Sequence, residues 1–472
     1  MSQVLKPYPE YKDSGLTWLG KIPVHWTEKR AKYFFREVDE RSSTGQEEML
    51  SVSHITGVTP RSQKNVTMFT AESNAGHKLC HPGDLVINTM WAWMAALGVA
   101  KQTGIVSPSY AVYRPIRANA FVPEYIDHLL RTKPYATEYL CRSTGIRSSR
   151  LRLYPEKLLE IPISCPPCQE QTQMLAFLNA KDLLIRRYIS SKRRLIKLLN
   201  EWKQAIINRA VTRGLDPNVR LKPSGVEWLG DMPEHWEVRQ VKQISRILRG
   251  KFSHRPRNDP SLYEGPYPFI QTGDVARAEK SITHYRQTLN ERGLAVSKMF
   301  PAGTLVMTIA ANIGDVAVLD FEACFPDSVV GFVPRGSLDR DYLYYVFRAM
   351  KPELLREAPV NTQGNLNIDR IGSRGIALPP APEQPVIVKQ IEKSTRGLDA
   401  AIIHARGGIE LLNEYRTRLI SDVVTGKLDV RAAKLPAVEE IEIPEEWNGT
   451  LDAESDLLED QELPELTQEA GD

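Results

Sequence analysis

Four short polar segments carry the side chains whose chemistry is most suggestive in this sequence. They occupy residues 59–65, 143–152, 249–258 and 361–367 and are rich in Arg, Lys, Asn and Gln. Arg and Lys neutralise phosphates, an Arg fork pairs with guanine O6 and N7, and Asn or Gln pairs bidentately with adenine. We therefore expect these segments to bind double-stranded DNA, through the candidate side chains Arg61, Lys64, Asn65, Arg147, Arg150, Arg152, Lys251, His254, Arg255, Arg257, Asn361, Gln363 and Asn365.

Two of these segments lie at the same place in the two halves of the chain but differ in chemistry. Residues 143–152 are rich in Arg, whereas residues 361–367 are rich in Asn and Gln. Segments at equivalent positions that carry different side chains are suited to reading two different DNA sequences. Solvated surface loops remain an alternative for any single side chain.

Catalytic signatures are missing from the sequence. No GxGxxG, GxxxxGK[ST], HExxH or GxSxG motif occurs, and neither does the Asn-Pro-Pro-aromatic run of adenine methyltransferases. His25 and His235 each precede a Trp, which favours a structural role over that of a catalytic base. A nuclease of the PD-(D/E)xK type has no spacing that stands out. We expect a chain without catalysis of its own, and an unrecognised nuclease or methyltransferase is the enzyme alternative.

The five cysteines do not predict a disulfide framework, because their number is odd and the chain is long. Cys165 and Cys168 form a CxxC pair around two prolines, but no second pair follows at zinc-finger spacing. Two ordinary cysteines beside a proline turn are favoured over a zinc or redox site. We expect no metal and no cofactor in this chain.

Charge is distributed very unevenly along the chain. Residues 435–472 contain fourteen Asp and Glu and no Lys or Arg, so the remainder has 61 basic against 44 acidic residues, a net charge of +17. A basic body suits a polyanionic partner such as nucleic acid. We expect a disordered tail that aids solubility, with a DNA mimic as the alternative. No apolar run is long enough for a membrane span and no export signal is evident, so the expected location is the cytoplasm, away from membranes.

An internal repeat organises the whole sequence. Residues 14–26 read SGLTWLGKIPVHW and residues 224–236 read SGVEWLGDMPEHW, with eight identities in thirteen positions at an offset of 210. Shorter matches follow at 166–171 and 379–384 (Pro-Pro, then Glu-Gln), at 198–202 and 411–415 (LLNEW and LLNEY), and at 210–216 and 423–429 (AVTRGLD and VVTGKLD).

Each half ends in a long helical segment, 169–212 and 383–425, with apolar residues at helical spacing. A long helix with apolar stripes needs a partner helix, and the equivalent helix of the other half is the simplest candidate. Two separate helices, each covering its own domain, are the alternative. The residues predicted for helix pairing or subunit docking are Leu184, Tyr188, Leu195, Leu198, Trp202, Leu398, Ile402, Ile409, Leu412 and Tyr415. Ile185, Ile189, Ile196, Leu199 and Ile206 form an adjoining stripe.

Residues 1–430 resemble the specificity subunits of type I restriction-modification systems. The resemblance rests on the two SGxxWLGxxPxHW openings, the Pro-Pro to Glu-Gln segments, and the LLNE(W/Y) helices that end in TRGLD and TGKLD. It implies an α+β fold with a pseudo-two-fold internal repeat, in which two helices pair as an antiparallel coiled coil. The expected regions are target recognition domains at 1–165 and 217–380, helical spacers at 166–216 and 381–430, and the tail at 431–472.

The resemblance also implies the function and the partners. Each recognition domain would read one half of a bipartite DNA site, and the helices would set the gap between the halves. Two modification subunits would bind S-adenosylmethionine and methylate adenine, and two motor-nuclease subunits would use ATP and Mg²⁺ for cleavage. A coiled-coil scaffold that binds only proteins is the alternative from another class.

Overall fold

The computed structural model describes residues 5–64, 74–117, 120–145, 151–357 and 366–434. Part of the sequence predictions falls outside these ranges, namely the acidic tail after residue 434 and the side chains of Asn65, Arg147, Arg150, Asn361, Gln363 and Asn365.

The chain divides into two compact units. The first comprises residues 1–192 and 407–472, and the second comprises residues 193–406. Each unit combines an α+β region with part of both long helices. The five regions predicted above separate the helices from the recognition domains, whereas these units do not. The mixed helical and β-sheet fold predicted from the sequence is confirmed.

The first unit contains twelve strands among its described residues, and it also contains the first part of the first long helix. The strands are β1 Tyr11–Asp13, β2 Lys21–Pro23, β3 Thr27–Arg30, β4 Phe35–Val38, β5 Leu50–Ser53, β6 Gly57–Pro60, β7 Lys78–Cys80, β8 Leu85–Ile87, β9 Leu97–Val99, β10 Gly104–Val106, β11 Ala111–Pro115 and β12 Pro162–Cys165. The helices are α1 Pro123–Leu130, α2 Lys133–Arg142, α3 Pro155–Leu159 and α4 Cys168–Arg213.

A four-stranded antiparallel sheet, β4-β11-β8-β9, forms the centre of this unit. Successive side chains of a strand point to opposite faces, and both faces of this sheet are covered. Leu85 and Ile87 pack into the core that contains α1, whereas Val86 packs into a second core with the β5–β6 hairpin. The sheet therefore carries helices on one face and the hairpin that precedes Arg61 on the other.

The second unit is built from the following elements. The strands are β13 Leu221–Pro223, β14 Asp231–Pro233, β15 Glu237–Gln240, β16 Ser245–Arg249, β17 Tyr263–Phe269, β18 Ser281–Ile282, β19 Gln287–Leu289, β20 Met299–Phe300, β21 Leu305–Thr308, β22 Val316–Leu319, β23 Ala323–Cys324, β24 Val329–Pro334 and β25 Gly375–Leu378. The helices are α5 Val241–Ile244, α6 Thr272–Arg277, α7 Glu291–Val296, α8 Arg340–Glu357, α9 Ile368–Ser373 and α10 Glu383–Val424, of which α10 belongs to the first unit from residue 407 onward.

The two larger sheets of this unit have five and four strands among the described residues. The larger has the order β16-β24-β21-β22-β18 and is again covered on both faces, because Leu305 and Met307 point into one core and Val306 into another. The smaller sheet, β19-β17-β23-β20, packs around Phe252 and Phe269. It supports the polar segment 249–258.

The antiparallel strand pairs of the first unit have counterparts in the second. The corresponding pairs are β3–β12 and β15–β25, β4–β11 and β16–β24, β8–β11 and β21–β24, and β8–β9 and β21–β22.

Both long helices end at a glycine that packs against a tryptophan of an opening motif. Gly214 has a φ of +73° and Gly426 a φ of +79°, which is the left-handed conformation that favours glycine after a helix. A Cβ atom on Gly214 would lie 3.2 Å from the Trp236 ring, and one on Gly426 would lie 2.9 Å from the Trp26 ring. The opening motifs therefore fix where the helices stop.

Within the first unit, α4 and α10 run in opposite directions. Asp182 of α4 accepts a hydrogen bond from Arg416 of α10, and ten residues further along α4 Lys192 lies beside Gly408, eight residues back along α10. In the second unit, Lys203 of α4 forms an ion pair with Asp399 of α10. The helices are thus joined by charged pairs in each unit.

The residues predicted for helix pairing or subunit docking differ in burial. Leu398 and Ile402 are buried, and Leu184, Ile409 and Leu412 are half-buried. The exposed members of the predicted set are Tyr188, Leu195, Leu198, Trp202 and Tyr415. Of the adjoining stripe, Ile185 and Ile189 are buried, and Ile196, Leu199 and Ile206 are half-buried. Two stripes only one residue apart satisfy the same helical spacing, so periodicity could not decide between them.

Candidate nucleic-acid interface

Residues of the repeated sequence motifs form a buried polar cluster around Glu170 in the first unit. Its Oε1 accepts hydrogen bonds from the Tyr8 hydroxyl at 2.6 Å and from Trp26 Nε1 at 3.0 Å, while its Oε2 lies 2.7 Å from His25 Nε2. Burial and the hydrogen bond to the carboxylate raise the pKa of Tyr8. The buried indole N–H of Trp26 needs an acceptor, and Glu170 supplies it.

The second unit repeats this cluster at Glu383. Trp236 Nε1 lies 3.2 Å and 3.1 Å from its two carboxylate oxygens, and His235 Nε2 lies 3.0 Å from Oε2. These contacts give His25 and His235 a structural role, because each is a partner of the carboxylate that anchors the neighbouring Trp.

The Gln that follows each of these Glu residues ties a helix entrance to a proline turn. Gln171 Oε1 accepts from the Val122 N–H at 2.8 Å, and its Nε2 donates to the Pro166 carbonyl at 2.8 Å. Gln384 does the same with the Asp339 N–H at 2.7 Å and the Pro379 carbonyl at 3.0 Å. The motifs that recur in the sequence therefore build the frame of each unit.

Arg61 begins the turn that follows the β5–β6 hairpin. Its N–H donates to the Met49 carbonyl at 2.8 Å, and the Ser62 hydroxyl donates to Glu48 Oε1 at 2.6 Å. Hydrogen bonds from Ser62 and Gln102 lower the pKa of Glu48. Arg61 is half-buried, as is Lys64 at the end of the same turn.

Helix α1 fixes the other end of this hairpin. Arg131 Nη2 donates to the carbonyls of His54, at 2.9 Å, and Ile55. Its Nη1 lies 3.3 Å from Asp127 Oδ2, and Asp127 Oδ1 accepts from the Val99 N–H at 2.9 Å. The hairpin turn is therefore bound to the end of α1, and α1 is in turn bound to β9 through Asp127.

The ends of segment 143–152 are closed by the backbone. The N–H and carbonyl groups of Thr144 and Arg152 exchange two hydrogen bonds of 3.0 Å, and the Leu153 N–H donates to the Thr89 carbonyl at 3.0 Å. In the second unit, the Leu366 N–H donates to the Ile309 carbonyl at 2.9 Å. The chain thus returns to the central sheet at equivalent places after segments 143–152 and 361–367. The Arg152 side chain is exposed.

The start of segment 249–258 is anchored in the smaller sheet of the second unit. Phe252 is buried, with its ring centroid 5.1 Å from that of Phe269. The Lys251 N–H donates to the Phe325 carbonyl at 3.0 Å, and the Ser297 hydroxyl donates to the Lys251 carbonyl at 2.8 Å. The segment therefore leaves the sheet from a fixed base.

Beyond Phe252 the segment presents His254, Arg255 and Arg257. His254 Nε2 lies 3.1 Å from Asp259 Oδ2. Both arginines reach Asp327, with Arg257 Nη2 at 2.6 Å from Oδ1 and Arg255 Nη2 at 3.6 Å from Oδ2. Both arginine side chains are about half-exposed. The structure thus brings these three candidates together, whereas Arg61 and Arg152 stand on separate elements of the first unit.

Asp327 is the functional candidate that sequence reasoning missed. It lies 70 residues after Arg257 and follows the buried strand β23, so no local pattern connects it to the arginines. Only the pairing of the strands brings the two segments side by side.

No group of three or more His, Cys, Asp or Glu side chains among the described residues is arranged to hold a metal ion. The five cysteines form no disulfide, and burial raises the pKa of Cys165 to about 11 and that of Cys80 to about 12. Of the helices described, none has the length and apolar character needed to cross a membrane.

Comparison with known proteins points to one family. Residues 233–405 match the family model of the type I restriction modification DNA specificity domain. A specificity subunit assigned to the type I restriction enzyme MjaX of Methanocaldococcus jannaschii is 24% identical over 319 residues, covering 66% of this chain and 70% of that protein. The type I restriction enzyme MjaVIII specificity subunit of the same organism is 22% identical over 324 residues, covering 65% and 70%.

A solved chain has the same fold. It comes from a study of complex assembly and conformational transition of the type I R-M system, and it aligns with a TM-score of 0.58 at 18% identity. The alignment covers 86% of this chain and 99% of the solved one.

Proposed function

This chain belongs to the specificity subunits of type I restriction-modification systems, and from that premise we propose that it directs a modification complex to a bipartite DNA site. Each unit would read one half of the site. The chain itself would not catalyse the reaction, in keeping with the DNA specificity role of its family.

This proposal rests on one observation. The two units have corresponding polar clusters and strand pairs, but their polar segments differ in composition. The Glu170 and Glu383 clusters and the strand pairs correspond, yet segment 143–152 is rich in Arg and segment 361–367 in Asn and Gln. Arg favours guanine and Asn or Gln favours adenine in the major groove. The two halves of the site should therefore differ in sequence.

We propose further that α4 and α10 pair as an antiparallel coiled coil and relate the two units by a pseudo-two-fold axis. The ion pairs between Asp182 and Arg416 and between Lys203 and Asp399 support this arrangement, as does the opposite direction of the helices in the first unit. A paired rod of this kind would set the gap between the two half-sites.

The LLNEW and LLNEY sequences support two docking sites for modification subunits. Leu198 and Trp202 are exposed on α4 in the second unit, and Leu411 and Tyr415 are exposed on α10 in the first. Trp202 is 60% exposed and Tyr415 is 50% exposed. Large aromatic side chains that are exposed to water are typical of protein–protein interfaces. We name these the 198/202 patch and the 411/415 patch. Two like patches suit two copies of one partner.

The chemistry would then belong to the partners. Two modification subunits would bind S-adenosylmethionine and methylate adenine at N6, and two motor-nuclease subunits would bind ATP and Mg²⁺ and cleave DNA. This chain would contribute the sequence preference and the docking surface.

The test is to sequence methylated bases in cells that contain the modification subunits, with and without this chain. We expect a split motif, with two defined halves and a gap of fixed length, only when the chain is present. Methylation that does not depend on the chain, or a continuous motif, would contradict the proposal.

A further inference from the structure

Segment 249–258 of the second unit is held more tightly than an exposed basic loop requires. A Cβ atom on Gly250 would lie 1.9 Å from the Pro326 carbonyl oxygen, so only glycine allows this approach. The Gly250 N–H donates to the Val329 carbonyl at 3.2 Å, and the Lys251 N–H donates to the Phe325 carbonyl at 3.0 Å. The segment and the turn 326–329 are therefore bound to each other along their backbones.

That turn carries Asp327, and its own geometry is fixed. The Val329 N–H donates to the Pro326 carbonyl at 3.0 Å, and the Ile309 N–H donates to the Ser328 carbonyl at 2.9 Å. The carboxylate of Asp327 therefore stands at a defined point beside the segment.

The two arginines that reach Asp327 make different contacts. Arg255 Nη1 donates to the carbonyls of Phe252 and His254, each at 2.8 Å, so this guanidinium closes the loop on itself. Arg257 donates from Nη2 to Asp327 at 2.6 Å, and its own carbonyl accepts a hydrogen bond from the Tyr263 hydroxyl. Arg257 is thus fixed at its backbone and at its head, while about half of its side chain stays exposed.

An exposed ion pair of this kind adds little stability, because water screens the charges. Its effect is to restrict where the guanidinium points. An Arg fork has five N–H donors, and the bond to Asp327 uses one of them. A fork held in advance loses less entropy when it binds a planar acceptor pair such as guanine O6 and N7.

We infer that Arg257 reads a guanine in the half-site of the second unit and that Asp327 and Arg255 are its positioning residues. The inference rests on the proposed function and assigns a base to one named side chain. A lysine at position 257 would still neutralise a phosphate but could not form the fork. Charge and geometry can therefore be separated by substitution.

The experiment compares R257K, D327N and D327E in the complex with its modification subunits, by sequencing methylated sites and by DNA binding at several salt concentrations. With R257K, we expect the preference for guanine at one position of one half-site to fall about ten- to a hundredfold. D327N should weaken the same preference while tightening binding to unrelated DNA, since a negative charge near the phosphates is removed. D327E should restore part of the preference.

The matched control is R239A, which removes an exposed arginine paired with Glu237 at 2.8 Å on β15 of the same unit. It should leave the motif unchanged, and thermal unfolding of all variants should show intact folds. The inference is overturned if R257K and D327N both leave the methylated motif unchanged. It is also overturned if R257K keeps the motif and D327N only lowers the affinity for all DNA sequences equally. If the unaltered chain yields no split motif, the proposed function is overturned as well.

Discussion

Glu170 and Glu383 occupy corresponding places but are buried to different extents. The Glu170 side chain is 6% exposed and its partner His25 34%, whereas Glu383 is 30% exposed and His235 50%. Glu170 also accepts a hydrogen bond from the Tyr8 hydroxyl, whereas the contacts described for Glu383 come from His235 and Trp236. The same residue type should therefore contribute unequally in the two units.

We predict that E170A lowers the free energy of unfolding by about 3 kcal/mol, because it leaves the buried donors of Tyr8 and Trp26 without an acceptor. E383A should cost about 1 kcal/mol, since water can replace part of the lost bonding. Urea-induced unfolding followed by circular dichroism measures both. E227A, at an exposed position in the second unit, is the control and should change little. Equal losses for E170A and E383A would contradict this account of burial.

At the same scale, residues that recur and residues that differ divide by role. The recurring Trp, Glu and Gln side chains hold backbones and helix entrances in both units. The arginines and amides of the polar segments differ between the units. Comparison of the two copies therefore separates the two roles, because the residues that both copies retain are those that hold the backbone of each unit.

At the scale of elements, α4 has two apolar stripes with different environments. Ile185 and Ile189 are buried, and Leu195, Leu198 and Trp202 are exposed. Burying an aliphatic stripe stabilises the fold, whereas leaving a second stripe in water costs solubility unless a partner covers it. The exposed stripe is thus the part of the helix that intramolecular packing does not explain.

We predict that the double variant L198A/W202A binds one modification subunit instead of two and that L411A/Y415A does the same at the other patch. Each lost patch should weaken its site by roughly thirtyfold or more, as for interface hot spots worth about 2 kcal/mol. Mass photometry of the reconstituted complex counts the bound subunits. I189A serves as the contrasting variant, with an expected loss of about 3 kcal/mol in the free energy of unfolding because it opens a cavity. If a variant that combines all four substitutions still binds two subunits, the patches are not the docking sites.

At the scale of the whole molecule, the beginning of the chain is bound to the end of α10. The Asp429 N–H donates to the Lys6 carbonyl at 2.8 Å, and the Tyr11 hydroxyl donates to the Gly426 carbonyl at 3.1 Å. Val430 is buried in the same core as Tyr8. In the second unit the corresponding join is continuous chain, because β13 follows α4 directly. In the first unit the start of the chain is therefore joined to the end of a long helix by non-covalent contacts, whereas in the second unit the equivalent join is covalent.

The proposed helix pair predicts how the recognised DNA motif depends on helix length. Deleting residues 190–196 together with 404–410 removes two turns from each helix, which shortens a rod by about 10 Å at roughly 1.5 Å per residue. We expect the gap to shrink by about three base pairs, at roughly 34 Å for ten, while both half-site sequences stay the same. Sequencing of methylated sites reads out gap and halves together.

The control for this prediction removes the seven residues from one helix only. The two helices then no longer match in length, so methylation should be lost rather than shifted to a new gap. A change in the half-site sequences after the paired deletion would show that the helices do more than set a distance.

The sequence alone determined the features that depend on local order. The repeat, the two long helices, the mixed fold and the resemblance to specificity subunits follow from residue identities and spacings. The ends of α4 and α10 lie within one residue of the ends of the predicted helical segments. Helical periodicity and glycine stops are local properties, so they can be read along the chain.

Only the tertiary structure decided which stripe of α4 is buried and which acid holds Arg257. The two stripes have the same period, and Asp327 is 70 residues from its partner, so neither choice leaves a local signal. The division of each helix between two units likewise depends on long-range packing. Periodicity fixes that a helix has an apolar face, but the shape of what lies against that face fixes its orientation.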